Sequence, residues 1–326
     1  MSVNHRIYVG TIGEGVFRSV DGGETFARAC DGMAFVECHV RALVVHPREP
    51  NVLYLGCESG LYRSSDGADS WTRIESPAND TQVWSLLIPE HYPNIIVVGC
   101  CPSKIFTSTD AGRTWHEGTT RMRHDCPRIQ YTRVTCLLAD PDNPEVWWAG
   151  VEIDGLHCSR DHGRTWQRIG EGLTSQDIHA LAKVPGGAFL AATNNDLNVS
   201  SDHGQTWRGL NIATMMPWAY CRTLAQLPGR PTTIFLGNGN GPPGSAGAIG
   251  RSDDGGATWR PWQLPRQANS TIWNFALFAG EPKIVYANSV SGEVYRSYDA
   301  GNTWQKLERE FGEIRALAWT NGERGA

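Results

Sequence analysis

Apolar and polar residues alternate along this chain in short runs, and turn formers close each run. Residues 40–45 (VRALVV), 52–56 (VLYLG) and 61–64 (LYRS) carry the pattern, separated by 46–51 (HPREPN) and 57–60 (CESG). A period of two bounded by Gly, Pro, Asn and acids predicts half-buried β-strands. The same grammar returns with runs 95–99 (IIVVG), 146–150 (VWWAG), 189–192 (FLAA), 234–237 (IFLG) and 284–287 (IVYA). Each unit reads as four strands, A to D, and the chain reads as all-β.

An eight-residue phrase, S-x-D-x-G-x-T-W, sits between strands C and D of every unit. Its aspartates are Asp21, Asp66, Asp110, Asp161, Asp202, Asp254 and Asp299, spaced 41 to 52 residues apart. Sheet-forming repeats of this length predict a propeller, here with seven four-stranded antiparallel blades. The phrase itself reads as a hairpin corner. Asp accepts from backbone N–H groups ahead of it. Gly at the fifth position suits positive φ, and the closing Trp packs between blades. The first copy ends in Phe26, and the second has Ala68 and Ser70 in place of Gly and Thr. A catalytic aspartate is not needed seven times, so these carboxylates are read as structural.

The ends of the chain predict how the ring closes. Residues 7–10 (IYVG) read as a strand B, and 314–319 (IRALAW) read as a strand A. The C-terminal strand is therefore expected to join the N-terminal blade, removing the open edges of the array. Residues 1–326 then form one domain, with a frayed tail from 321 onward.

With these corners in view, the chain resembles the Asp-box, or BNR-repeat, propellers. That group includes sialidases, oligoxyloglucan-acting glycoside hydrolases, sortilin-type receptors and a photosystem II assembly factor. The resemblance covers nearly the whole chain and implies the fold rather than one activity. It lacks the F-R-I-P segment of sialidases and the second propeller of the oligoxyloglucan-acting enzymes.

Composition narrows the setting. The chain has 326 residues, 40% of them hydrophobic, a net charge of −5 and nine cysteines. No basic stripe points to nucleic acid, and no 18-residue apolar span points to a membrane. Without an export signal or a C-x-x-C pair, the cysteines are expected to be reduced thiols of a cytoplasmic protein. No cofactor motif is present. Cys100–Cys101, at an expected loop edge, and the nearby His124 and Cys126 are the minor candidates for metal or redox chemistry.

The candidate site lies where strand A lines the channel. Aligned blade by blade, the inward positions are Arg41, Trp84, Thr135, His179, Arg222, Trp273 and Arg315. Two residues earlier, on the same side of the strand, stand His39, Gln82, Arg133, Asp177, Tyr220, Thr271 and Glu313. The long segments 116–131, 208–220 and 238–250 are expected on the same face. Arginines at this mouth suit a carboxylate, which they grip bidentately. Trp84 and Trp273 suit stacking on a sugar or planar ligand.

Two readings follow. In the first, the mouth is an enzyme site for a carboxylate-bearing small molecule or acidic sugar, by hydrolysis or elimination. Arg41, Trp84, Arg133, Asp177, Arg222, Trp273 and Arg315 bind; His179 or His39, with Glu152 or Tyr220, moves protons. Glu152 and Asp154 are the carboxylates of the rim. In the second, the long-loop face is a non-catalytic docking surface for a protein partner, as the resemblance to the assembly factor implies.

Overall fold

Seven four-stranded antiparallel sheets stand around a central channel. The structure, a computed structural model, describes residues 5–34, 38–127 and 129–321. The start of the chain and residues 322–326 lie outside them; Asn321, where fraying was expected to begin, instead ends a strand and pairs with His5. Blade one takes strand A from Ile314–Asn321 and strands B to D from His5–Thr11, Val16–Ser19 and Ala27–Arg28. Pairs from His5 with Asn321 to Thr11 with Ile314 zip the two chain ends together. The strands A of blades two to seven are Ala42–Val45, Gln82–Leu87, Arg133–Ala139, Ile178–Lys183, Tyr220–Leu227 and Ile272–Leu277. No α-helix occurs among the described residues.

Apolar seams between blades form the core. One seam joins Ile95, Val97 and Ile105 of blade three to Val134, Trp147 and Ala149 of blade four, and Met122 and Trp166 close it. Strand B of each blade is covered on both faces, so Leu53–Cys57 and Phe189–Thr193 are buried throughout. Strand D forms the rim, and Thr72–Ile74 is mostly exposed. Each fully buried Val, Ile or Leu at a seam stabilises the ring by about 1.5–3 kcal/mol.

The seven repeated corners share one hydrogen-bond scheme. At the third of them, Asp110 Oδ1 accepts from the N–H of Arg113 and Thr114 at 3.0 and 2.8 Å, and Oδ2 accepts from Thr114 Oγ1 at 2.6 Å. Ser108 Oγ donates to Asp110 at 2.8 Å and accepts from the N–H of Gly112 at 2.8 Å. The Thr114 hydroxyl, then its N–H, hold the Asp110 carboxyl down at about 2; Thr206 does the same for Asp202. The corner also departs from expectation. Positive φ occurs at the fourth position as well as the fifth, as at Ala111 (61°) with Gly112 (90°), and at His162 (56°) with Gly163 (79°). A non-glycine residue there costs about 1–2 kcal/mol, which the surrounding hydrogen bonds offset. The closing Trp packs at the seam. Trp166, Trp207 and Trp259 donate Nε1 to the corner glycine's carbonyl at 3.0 Å.

Local details differ from the sequence reading in two places. Cys100 and Cys101 belong to a strand, Ile96–Cys101, not to a loop edge. The segment 238–250 shortens to a loop of residues 240–246, because its strands extend to Gly239 and from Gly247.

Candidate functional site

The channel wall is built by a recurring irregularity in strand A. The register against strand B skips one residue at Trp84, Thr135, His179, Arg222, Trp273 and Arg315. A β-bulge sets two residues against one and re-aims a side chain. The residue just before each skipped position is buried completely: Val83, Val134, Ile178, Cys221, Ile272 and Ile314. Glycines on strand B of the preceding blade anchor several of them: Gly56 meets Val83, Gly99 meets Val134 and Gly150 meets Ile178. A Cβ on Gly150 would lie 2.6 Å from Ile178 Cγ2 and 2.5 Å from Cys136 Sγ; one on Gly10 would lie 2.5 Å from Val40 Cγ1. Close approach of backbone to the next blade thus pins one side chain into the seam and turns its successor into the channel.

Two connected chambers result. An inner chamber of about 240 Å³ is lined by Arg41, Trp84, Thr135, His179, Arg222, Trp273 and Arg315, with Cys136, Thr223 and Asn274 deeper in. An outer chamber of about 390 Å³ shares Trp84, His179, Arg222, Trp273 and Arg315 and adds Arg133, Glu152, Asp177, Asn194, Tyr220, Pro242 and Pro243. Ten of the eleven residues proposed from the sequence therefore line one funnel. The exception is His39. It is half-buried, its backbone N–H donates to Glu58 at 2.5 Å, and it lines neither chamber. Regular strand A of its blade begins only at Ala42, so the period-two extrapolation does not reach it.

Guanidinium and indole groups interleave around the wall. Arg41 and Arg133, from the blades on either side, place Cζ 4.4 and 4.3 Å from the Trp84 ring centre. Arg222 and Arg315 flank Trp273 in the same way at 3.9 and 4.3 Å. The indoles therefore serve as pillars for cations, and their faces are not open for stacking a sugar as expected. Desolvation pulls the pKa of Arg41 and Arg315 below the ordinary arginine value, while Glu58 and Glu313 respectively oppose it. Arg133 pairs with Glu152 at 2.7 Å, and Arg315 pairs with Glu313. Among the described residues, the side chains of Arg41 and Arg222 make no hydrogen bond or ion pair, and Arg41 Nε is buried without a partner.

The His179 ring is fixed in place. Its Nδ1 donates to the Cys221 carbonyl at 2.7 Å, which fixes the ring and turns Nε2 toward the cavity wall. Asp177 Oδ1 lies 3.4 Å from Nε2. The Tyr220 ring packs 5.0 Å from the imidazole. Burial pushes the Tyr220 phenol up to about 12, with Arg222 opposing, so it stays protonated at neutral pH.

The second rim carboxylate, Asp154, and the nearby Asn238 are engaged within the fold. Asp154 turns away from the mouth: it is buried, accepts from the Arg123 N–H at 3.0 Å and lies 3.1 Å from His157 Nε2. Asn238 holds the carbonyls of Trp218 and Tyr220, both at 2.8 Å. Burial raises the Cys100 thiol to about 12. No group of three or more potential metal ligands occurs among the described residues. Pro242 and Pro243 were missed, because no alternation pattern reports what a loop covers; Asn274 was missed because it directly follows the skipped Trp273, where strict alternation turns it away from the channel. The only signal was the Pro-Pro pair inside a glycine-rich loop.

Comparison with known proteins follows the fold. The Sortilin-Vps10 family model (Sortilin, neurotensin receptor 3) matches residues 4–143, fewer than half of the chain. The probable oligoxyloglucan-reducing end-specific xyloglucanase of Neosartorya fischeri is 34% identical over 79 residues, 22% of this chain and 10% of that protein. Among solved structures, the GH74 xyloglucanase of Xanthomonas campestris superposes with a TM-score of 0.68 at 15% identity, covering 96% of this chain and 52% of that one. YCF48 bound to a D1 peptide superposes with a TM-score of 0.57 at 16% identity, covering 82% of this chain and 81% of that one. This chain thus spans about half of the xyloglucanase structure and a tenth of the curated relative. The chain is similar to sortilin-type and GH74-type propellers, and what it shares with the solved structures is the seven-bladed architecture.

Proposed function

We propose that the funnel binds a carboxylate-bearing sugar or related small acid and moves protons on it, as a glycoside hydrolase-like or lyase-like enzyme. The observation that carries this reading is one cavity holding unspent guanidinium groups beside an imidazole with a fixed ring. Arg222 and Arg41 would clamp the carboxylate and neutralise it. Neutralisation acidifies the C–H next to the carboxylate. His179 Nε2 carries no hydrogen in the neutral ring, because Nδ1 donates to the Cys221 carbonyl. Nε2 would take the C–H proton, with Asp177 beside it to hold the resulting imidazolium, and the Tyr220 phenol would give one to the leaving oxygen. The C–H and C–O bonds break and a C=C bond forms, so the step balances without a co-reactant. Elimination fits better than hydrolysis, which uses two free carboxylates, because Glu152 is engaged by Arg133 at 2.7 Å.

The test is incubation with acidic and neutral oligosaccharides, following the ultraviolet absorbance of an unsaturated acid and, separately, new reducing ends. Unsaturated product from uronic substrates supports elimination. Arg222→Ala should abolish it with the melting temperature retained. No product from any substrate, together with no thermal shift from any acid, would remove this reading. The second reading, peptide docking on the long-loop face, draws support from the likeness to YCF48, whose structure holds a D1 peptide. It predicts a co-purifying protein and no turnover. The cytoplasmic setting is likewise proposed from the cysteine chemistry: seven of the nine cysteines are buried.

A further inference from the structure

We infer that the natural ligand of this funnel is a dianion whose two acidic groups sit apart, one on each side of the channel. This rests on the reading of the funnel as an acid site and names its substrate class. The two arginine–tryptophan–arginine stacks occupy opposite arcs of the wheel. Arg41, Trp84 and Arg133 come from blades two to four; Arg222, Trp273 and Arg315 come from blades six, seven and one. Each stack contains one cation already matched and one that is not. Arg133 is paired with Glu152, and Arg315 with Glu313. Arg41 and Arg222 make no ion pair or hydrogen bond through their side chains among the described residues, and Arg41 Nε is buried without a partner.

The remaining carboxylates make no ion pair with them, although the charges of Glu58 and Glu313 act on Arg41 from a distance. Asp177 faces His179 at 3.4 Å, and Glu58 is held by the His39 N–H at 2.5 Å. One unmatched cation per stack, each fixed against an indole and partly desolvated, leaves two places for negative charge on two walls. A single carboxylate fills one and leaves the other cation unmatched, which is costly in a half-buried site. Two acidic groups on one small ligand fill both. The 240 Å³ of the inner chamber suits a molecule of about this size.

The experiment is isothermal titration of the wild-type protein at low salt with matched pairs: succinate against succinamate, and galactarate against galacturonate. The diacid should bind at least about tenfold tighter than its monoacid in both pairs. Arg41→Gln and Arg222→Gln should each bring the diacid down to the monoacid's affinity. Inorganic phosphate, with its charge on one centre, should bind no better than the monoacids. Equal affinities within each pair, an effect of Arg222→Gln alone, or tight phosphate binding would overturn the dianion and leave the acid-site reading standing. If none of the four acids binds, both fall. The wild-type comparison decides the matter even where a variant does not fold.

Discussion

Gly150→Ala tests whether seam packing aims the channel wall. The new Cβ would meet Cys136 Sγ at 2.5 Å and Ile178 Cγ2 at 2.6 Å. Carbon contacts prefer about 3.5–4.0 Å, so the methyl is about 1 Å too close on two sides. Cys136 is the register partner of Gly150 across its own blade, and Ile178 belongs to the next blade and is fully buried. Neither can yield without moving a strand, which places the cost near the upper end of overpacking, about 2–3 kcal/mol. Ile178→Ala removes the clashing Cγ2 and alone should cost about 2–4 kcal/mol through the cavity it leaves. Together the two should cost at least about 1 kcal/mol less than their sum, because the second relieves the first. Equilibrium urea unfolding of the four proteins measures this. His179 follows Ile178 directly, so a strand shift of about 1 Å should also lower turnover about a hundredfold in Gly150→Ala. Strict additivity, or a Gly150→Ala protein within about 0.5 kcal/mol of wild type, would refute the mechanism.

The corner aspartates should govern acid stability. Their folded pKa, about 2 at Asp110 and Asp202, lies below the unfolded value of about 3.9. Their contribution is therefore full above the unfolded value and is lost as pH falls through the folded one. Tryptophan fluorescence should report a decline between about pH 4 and 2, shallower in an Asp110→Asn/Asp202→Asn double variant; an unchanged slope would count against it. Truncation before Ile314 removes the strand that pairs with His5–Thr11 and should give an expanded or aggregated species by gel filtration; a compact monomer would contradict ring closure. Trp273→Leu removes the pillar between Arg222 and Arg315 and should weaken acid binding about three- to tenfold, read by calorimetry. Of the nine cysteines, only Cys101 and Cys136 are partly exposed. A thiol reagent should find at most these two in the native protein and all nine after denaturation; a third fast-reacting native thiol would contradict the burial pattern.

Much of the wheel was legible in one dimension. The corner phrase specifies its own hydrogen bonds within eight residues, so Ser108, Asp110 and Thr114 needed no distant partner to be understood. The seven copies of the corner phrase carried the blade count, and the match between the two chain ends carried the closure. The inward ring was also legible, because every blade repeats the same offset from strand B. Three-dimensional packing decided the rest. The left-handed fourth position of each corner is invisible in a sequence that places Ala111, His162 or His203 there. The occupation of both indoles by arginines depends on side chains from neighbouring blades, which no periodicity reports. His39 left the wall because its strand starts late, and Asp154 was drawn to His157 and the Arg123 N–H rather than to the mouth. Local chemistry sets the turns and strands. Which charges meet, and which are left for a ligand, is settled only when separate blades share one channel.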